Sequence, residues 1–305
     1  MYGAGAVGGY YGLRLMQAGY DISFAARSKK LEIFRNEGLT LDSFATGKTE
    51  FKSLKLLDTE TITDSADKFD LIILSVKSYD TQSNIEKLKK ILAPCGKIIC
   101  FQNGVENEEL LLTAFDKNQI IGAAVFIAVA LEHGNVVKHT GTDRIVFGYW
   151  DESINSAELD WLKKIFDSAN LPNELSQNIK KDKWTKLVWN AAFNSLSVVL
   201  NSVVMDMVNN EHSAYLLRNT MFEVIEVAKS LNIIIDKKII DDYLTIESNI
   251  GEFKTSMLQD FEKGRKLEYE YLNGAVIRAA KKNNISAPFN TFLYKILAFK
   301  ECNKK

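Results

Sequence analysis

Three glycines at the head of the chain, Gly3, Gly5 and Gly8, spell G-x-G-x-x-G. That spacing marks a strand-to-helix turn, and it constrains the next segments to a helix, a second strand, and further alternation of the two. The sequence complies. YYGLRLMQAGY continues as a helix that stops near Gly19, and DISFAAR (Asp21–Arg27) reads as a buried strand. Only Met1 and Tyr2 precede the turn, too few for the roughly 5–6 residues of a typical strand. The sheet is therefore expected to lack most of its central first strand, with Tyr2 as that strand's last residue and a gap beside it. About four residues lost between Met1 and Tyr2, or a misassigned start, would account for this, given that typical length.

Further along, FDLIILSVK (Phe69–Lys77) and GKIICFQNG (Gly96–Gly104) read as buried strands ending in polar or glycine residues. NQIIGAAVFIAVALEHG and NVVKHTGTDRIVFGYW add more. Helical patterns such as Ile85–Leu92 and Glu106–Phe115 supply crossovers, which points to a parallel sheet covered on both faces. After Trp150 the texture changes. SAELDWLKKIFDSAN reads as a helix, and from about Lys181 long helical patterns dominate. The expected organisation is a Rossmann-type α/β domain over residues 1–175 and an all-α domain over 176–305.

Composition excludes several classes. With 38 basic and 39 acidic residues the formal charge is −1, so nothing favours nucleic acid or an anionic membrane as partner. Cys95, Cys100 and Cys302 form no C-x-x-C pair, and the three histidines form no H-E-x-x-H, so neither a disulfide scaffold nor a metal site is expected. The apolar run Ile120–Leu131 falls short of the roughly 20 residues of a membrane span. No signal peptide is read ahead of the glycine turn. The expected setting is the cytoplasm.

Small residues at Gly3, Ala4, Gly5, Ala6, Val7 and Gly8 would let backbone N–H groups approach a pyrophosphate at the helix N-terminus. An NAD site would carry an acidic residue after the second strand. Here Arg27 stands there, with Ser28, Lys29 and Lys30 after it. A cation suits the 2′-phosphate of NADP(H); alternatively Arg27 is a plain surface charge.

The stretch WTKLVWNAAFNSLSVVLNSVV (Trp184–Val204) has no charged residue after Lys186. On an α-helical wheel Lys186, Asn190, Asn194, Ser197 and Asn201 share an arc of about 80°. A solvated face would carry Lys, Glu and Asp. Amides and hydroxyls headed by one lysine either line a small-molecule cleft or bridge neighbouring helices.

These motifs, in this order, resemble the ketopantoate reductase family along nearly the whole chain. GAGAVGGYYG resembles the family's cofactor turn, LSVKSYD its lysine-bearing strand end and FQNGVEN its Asn-Gly turn. WTKLVWNAAFNSLS is similar to the helix of the catalytic lysine, and SMLQDFEKGRKLEYEYLNG to a second active-site helix. The resemblance implies NADPH-dependent reduction of 2-dehydropantoate to (R)-pantoate, on the route to pantothenate and coenzyme A. It also implies a helical domain like that of 6-phosphogluconate dehydrogenase. A homodimer is common among relatives of this fold.

Residue by residue, the resemblance makes Lys186 the general acid, with Asn190, Asn194 and Ser256 binding the substrate. It places Asn103 against both cofactor and substrate, and Lys77 and Glu268 near the cofactor; Glu268 is assigned either to NADPH or to orienting Lys186. Hydride transfer to a ketone builds charge on the carbonyl oxygen, so a proton donor is needed there. Burial would lower the lysine pKa towards neutrality and help it donate. Ser256 and Gln259 also have capping-box spacing. On one continuous helix, Ser256 and Glu268 would lie about 120° apart. The chain departs from the family at Val203 and Val204, where another polar residue is frequent. A relative acting on a different branched 2-oxo acid, or a non-catalytic NADP(H)-binding protein, are the competing readings.

Overall fold

In the structure, a computed structural model, residues 1–64, 66–245 and 253–303 are described. The chain divides into two compact units: Met1–Gln102 with Asn107–Ile179, and Asn103–Glu106 with Lys180–Lys305. The division falls after Ile179, beyond the expected position at 175, because Ile179 is buried with Trp150 and Ile98 in the core of the first unit.

The first unit contains, in order, α1 (Ala6–Gln17), β1 (Ser23–Ala26), α2 (Ser28–Glu37), β2 (Leu39–Ser43), β3 (Gly47–Phe51), β4 (Lys55–Asp58) and β5 (Phe69–Leu74). It continues with α3 (Thr81–Ile91), β6 (Leu92–Cys100), α4 (Asn107–Leu112), β7 (Ile120–Glu132), β8 (Val136–Tyr149), α5 (Asp160–Ser168) and β9 (Asn173–Leu175). Successive residues of the central strands point to opposite faces, and both faces are covered. Ile72, Leu74, Ile98 and Cys100 pack with Ile85 and Leu88 of α3 and Leu111 of α4. Their neighbours Ile73 and Ile99 pack on the other side, with Tyr11 and Leu13 of α1 and Phe166 of α5. This is why the strands read as continuous apolar runs.

The sheet is mixed, not purely parallel. The strands run in the order β3-β2-β8-β7-β6-β5, with β9 beside β8. β5–β6, β6–β7, β2–β8 and β8–β9 are parallel, while β2–β3 and β7–β8 are antiparallel. The reversal between β7 and β8 is made at His133 (φ 49°) and Gly134 (φ 88°), both in the left-handed region that a tight hairpin turn demands. β1 pairs in parallel with β4 as a separate two-stranded piece. Tyr2 joins that piece to the main sheet, forming isolated parallel bridges to Ala25 of β1 and Leu74 of β5. A cleft lined by Met1, Tyr2, Ser23, Ala25 and Leu71 lies beside it.

The second unit is helical throughout its described residues. It takes in α6 (Ile179–Trp189) from Lys180 onward, a π turn (Asn190–Asn194), α7 (Ser195–Leu200), α8 (Val204–Asn209) and α9 (Glu211–Ser230). Then come α10 (Lys238–Leu244), α11 (Ser256–Glu262), α12 (Asn273–Lys282) and α13 (Pro288–Cys302). Leu187, Val188, Leu196 and Val198 pack against Val224, Ile225, Val276 and Leu297. Val105, from the short segment Asn103–Glu106, joins this same core. No described helix is long and apolar enough to cross a membrane.

Candidate active site

In the first unit the glycine turn has the shape that a dinucleotide needs. Gly3 has φ +102°, and a Cβ there would sit 2.6 Å from the backbone nitrogen of Val76. At Gly8 a Cβ would meet the Gly3 carbonyl oxygen and Ser75 Oγ, each at 2.4 Å. Both positions therefore accept only glycine without rearrangement. Gly5 is different: a Cβ there would touch nothing nearer than the Gly3 oxygen at 4.0 Å. The absent side chain leaves open space ahead of α1, whose N-cap is Gly5 itself with no side chain bonded to the helix end. Free N–H groups and a helix dipole face that space, which suits a pyrophosphate. The residues present thus fit a dinucleotide.

Arg27 is the N-cap of α2, and its side chain is 70% exposed. Its Nη2 donates to Asp80 Oδ2 at 2.9 Å. Beside it, Ser28 Oγ lies 2.8 Å from Asp58 Oδ2 and 2.6 Å from Glu60 Oε2. This corner sets Asp80, Asp58 and Glu60 around Arg27 and Ser28. The Glu60 N–H and the Ser28 hydroxyl hold the Asp58 carboxyl below its ordinary value, and Arg35 and Lys87 are close enough to help. Lys77, past the end of β5, is the N-cap of a short 3-10 turn, Ser78–Asp80.

In the second unit the sequence candidates converge more tightly. Lys186 Nζ donates to Asn103 Oδ1 at 2.9 Å. Asn190 Nδ2 reaches the same oxygen at 3.5 Å. Asn103 is held by the turn after it: Gly104 has φ +88°, and a Cβ there would lie 2.7 Å from the Tyr271 carbonyl oxygen. Lys186 is half-buried, and burial lowers its ammonium to about 7. Lys183, one turn earlier on α6 and buried, is the second cause of that lowering, and Glu268 opposes it. Glu268 is buried and close enough to act on the lysine. Asn190 and Asn194 are both buried.

Three sequence readings change. The polar stripe does not continue as one α-helical face, because Asn190–Asn194 forms a π turn. Such a turn inserts one residue, which rotates everything after it by about 100° relative to the wheel. Ser197 consequently points into the core, where its Oγ lies 2.7 Å from Thr255 Oγ1 and donates to the Asn194 carbonyl. There the helix-bridging alternative holds. Asn201 is the exposed left-handed C-cap of α7, with φ 52°.

The capping box is displaced as well. Thr255, not Ser256, caps α11, its Oγ1 accepting from the Leu258 N–H at 3.2 Å. Gln259 Nε2 donates to the Lys254 carbonyl instead. Ser256 itself is exposed at the first turn. Lastly, Ser256 and Glu268 do not share one helix. α11 ends at Glu262, Gly264 turns the chain at φ +66°, and Glu268 caps a 3-10 turn, Tyr269–Tyr271, ahead of α12.

Sequence reasoning singled out the Asn-Gly of LEYEYLNG but found no role for Asn273. It is fully buried, and its Nδ2 donates to the carbonyl of Ala191, inside the π turn, at 2.9 Å. Ser195, also buried, donates to Asn273 Oδ1. An asparagine at a helix start was the only available signal.

Comparison with known proteins agrees with this layout. The family model described as ketopantoate reductase PanE/ApbA matches residues 1–152, and its C-terminal counterpart matches residues 178–301. The chain is 29% identical to the uncharacterized oxidoreductase YkpB of Bacillus subtilis, covering 99% of this chain and 98% of that one. It is 27% identical to a 2-dehydropantoate 2-reductase of Pyrococcus horikoshii, over 98% and 96% of the two chains. The crystal structure of 2-dehydropantoate 2-reductase from Geobacter metallireducens superimposes with a TM-score of 0.91 at 28% identity, covering 98% of each chain. D-mandelate dehydrogenase, at 23% identity and a TM-score of 0.92, shares the fold. The chain belongs to the ketopantoate reductase family of oxidoreductases.

Proposed function

We propose that the protein reduces 2-dehydropantoate to (R)-pantoate with NADPH, Lys186 acting as general acid. The observation that carries this reading is the cluster of Lys186, Asn103, Asn190 and Glu268, in which a half-buried lysine titrating near 7 is held by an amide oxygen. NADPH, when bound, supplies the hydride. The residues for it are the turn Gly3–Gly8 with Arg27 and Lys77, and Asn103 and Glu268 in the helical unit.

The protein's own part is to orient the 2-oxo acid and to deliver a proton. As the carbonyl carbon gains hydride, its oxygen gains negative charge, and Lys186 Nζ–H protonates it. The neutral amine then recovers its proton from solvent. A lysine near neutral pKa donates far more readily than one at its ordinary value, which is the chemical use of the burial at Lys186. Asn103 fixes the direction of the Nζ–H groups, and Glu268 keeps enough of the ammonium form present at neutral pH. Asn190, Asn194 and Ser256 supply the polar groups for the hydroxyl and carboxylate oxygens of the substrate.

The test is steady-state NADPH oxidation with 2-dehydropantoate beside a panel of branched 2-oxo acids. The expected result is the highest kcat/KM for 2-dehydropantoate. A preference for another acid by more than about tenfold, or 1.4 kcal/mol, overturns the substrate and leaves the reaction class. Val203 and Val204 are the positions to examine in that event. No turnover of any 2-oxo acid, with NADPH still bound, favours a binding protein instead.

A further inference from the structure

The π turn at Asn190–Asn194 sits where both amides read as substrate-binding belong, and it needs an external partner. Inserting one residue into a helix leaves a carbonyl without its usual N–H donor. Asn273 Nδ2 donates to the Ala191 carbonyl within that turn, at 2.9 Å. The same amide accepts from Ser195, the first residue after the turn, and gives its second N–H to Asn290 Oδ1 at 3.0 Å. Asn273 therefore grips the turn at both ends.

The direction of these bonds is set from further back. Glu223, buried on α9, accepts through both of its side-chain oxygens. Its two oxygens receive the N–H groups of Phe289 and Asn290 at the start of α13, together with Asn290 Nδ2. Asn290 Nδ2 also donates to the Thr220 carbonyl, so Asn290 Oδ1 faces Asn273 as an acceptor. That fixes Asn273 with its NH2 towards Ala191. A side chain of the same shape that cannot donate would deprive the Ala191 carbonyl of the Asn273 bond.

We propose that Asn273 is a positioning residue: by bonding the Ala191 carbonyl it maintains the π turn, and the π turn aims Asn190 and Asn194 at the 2-oxo acid. The inference rests on the reading of those two amides as substrate-binding. Without the Asn273 bond the segment regains a regular α-helical pattern, Asn194 rotates relative to Asn190 and Lys186, and the substrate loses one of its polar contacts.

The experiment compares Asn273→Leu with Ser195→Ala in the full chain. Ser195→Ala removes a bond from the same network yet leaves Asn273 on Ala191. Asn273→Leu is expected to raise KM for 2-dehydropantoate more than tenfold while the Kd for NADPH stays within twofold. Ser195→Ala is expected to keep KM within twofold, although both variants melt at lower temperature. A KM within twofold for Asn273→Leu, or equal rises in the two variants, overturns the proposal. A crystal structure of Asn273→Leu gives a readout free of any assumption about substrate: a regular helix over residues 190–194 is expected, and a retained π turn overturns it.

If Asn273→Leu does not fold, Asn273→Asp carries the same expectation, since a carboxylate accepts from Ser195 and cannot donate to Ala191. If neither folds under conditions where Ser195→Ala does, Asn273 is scaffold alone and the proposal fails. Absence of turnover in the parent chain counts against the proposed function, and the crystal structure still decides the role of Asn273.

Discussion

Lys186 is the residue whose chemistry is most open to measurement. Its ammonium is lowered to about 7, by burial first and Lys183 second, with Glu268 pulling the other way. The reaction needs the protonated form. kcat/KM for reduction is therefore expected to be flat below about pH 7 and to fall tenfold per unit above it. Glu268→Gln removes the group that raises the lysine, so the break should move to lower pH; an unmoved break would sever Glu268 from Lys186. Lys186→Ala should lower kcat/KM by about 100- to 10,000-fold, the usual worth of a positioned acid. A loss of only a few-fold would mean the proton comes from elsewhere. Arg27 admits an equally direct measurement. Charge-assisted bonds contribute about 1.5–3 kcal/mol each, so Arg27→Ala should raise KM for NADPH about 10- to 100-fold and leave KM for NADH nearly unchanged. Because Asp80, Asp58 and Glu60 crowd that corner, equal use of both cofactors by the parent chain would sink the NADP reading.

At the scale of elements, the cofactor turn and α1 are legible from the glycines, and the structure gives their reasons. A Cβ at Gly8 would strike the Gly3 carbonyl and Ser75 at 2.4 Å. Gly8→Ala should destabilise the chain by about 1–3 kcal/mol, as overpacking does, and weaken NADPH binding. The measurements are the shift in Tm and a direct titration with NADPH; unchanged values of both would show the turn to be looser than its contacts imply. The inner parts of β5, β6 and β7 and the end of β8 were legible because both faces are buried there, which writes a continuous apolar run. β2, β3 and β4 were not: GKTEF and KLLD are short, edge-like and half polar. The Lys186 helix was legible in composition and wrong in phase. No residue type announces a π turn, and the side chain that bonds within it, Asn273, lies far along the chain. Thr255 outcompeted Ser256 as a cap for a similarly non-local reason, its hydroxyl being tied to Ser197.

At the scale of the whole molecule, the weak line runs through the sheet of the first unit. β1 and β4 form a pair of their own, and among the described residues Tyr2 bridges them to β5 in the sheet ladder. The bonds that make that join include the Met1 amine to the Ser23 carbonyl, Tyr2 N–H to Ile73, Gly3 and Ala4 N–H to Ala25, Ala25 N–H to Met1, and Ser75 N–H to Tyr2. By contrast β7 and β8 pair from Ile121 to Glu132 along one hairpin. Regions with few ladder bonds open locally before the molecule unfolds. Hydrogen exchange in peptides over β1 and β4 should therefore run at least tenfold faster than over β6 to β8, a gap of at least about 1.4 kcal/mol in opening free energy. The side chain of Tyr2 bears much of what holds the pair in place, being buried with its hydroxyl on Asn84 at 2.7 Å. Removing a buried aromatic costs about 3–5 kcal/mol. Tyr2→Ala should thus accelerate exchange in β1 and β4 further and leave the β7–β8 hairpin near its parent rate. Uniform protection across all of these strands, or equal acceleration in all of them, would mean that the two pieces of sheet open as one cooperative body.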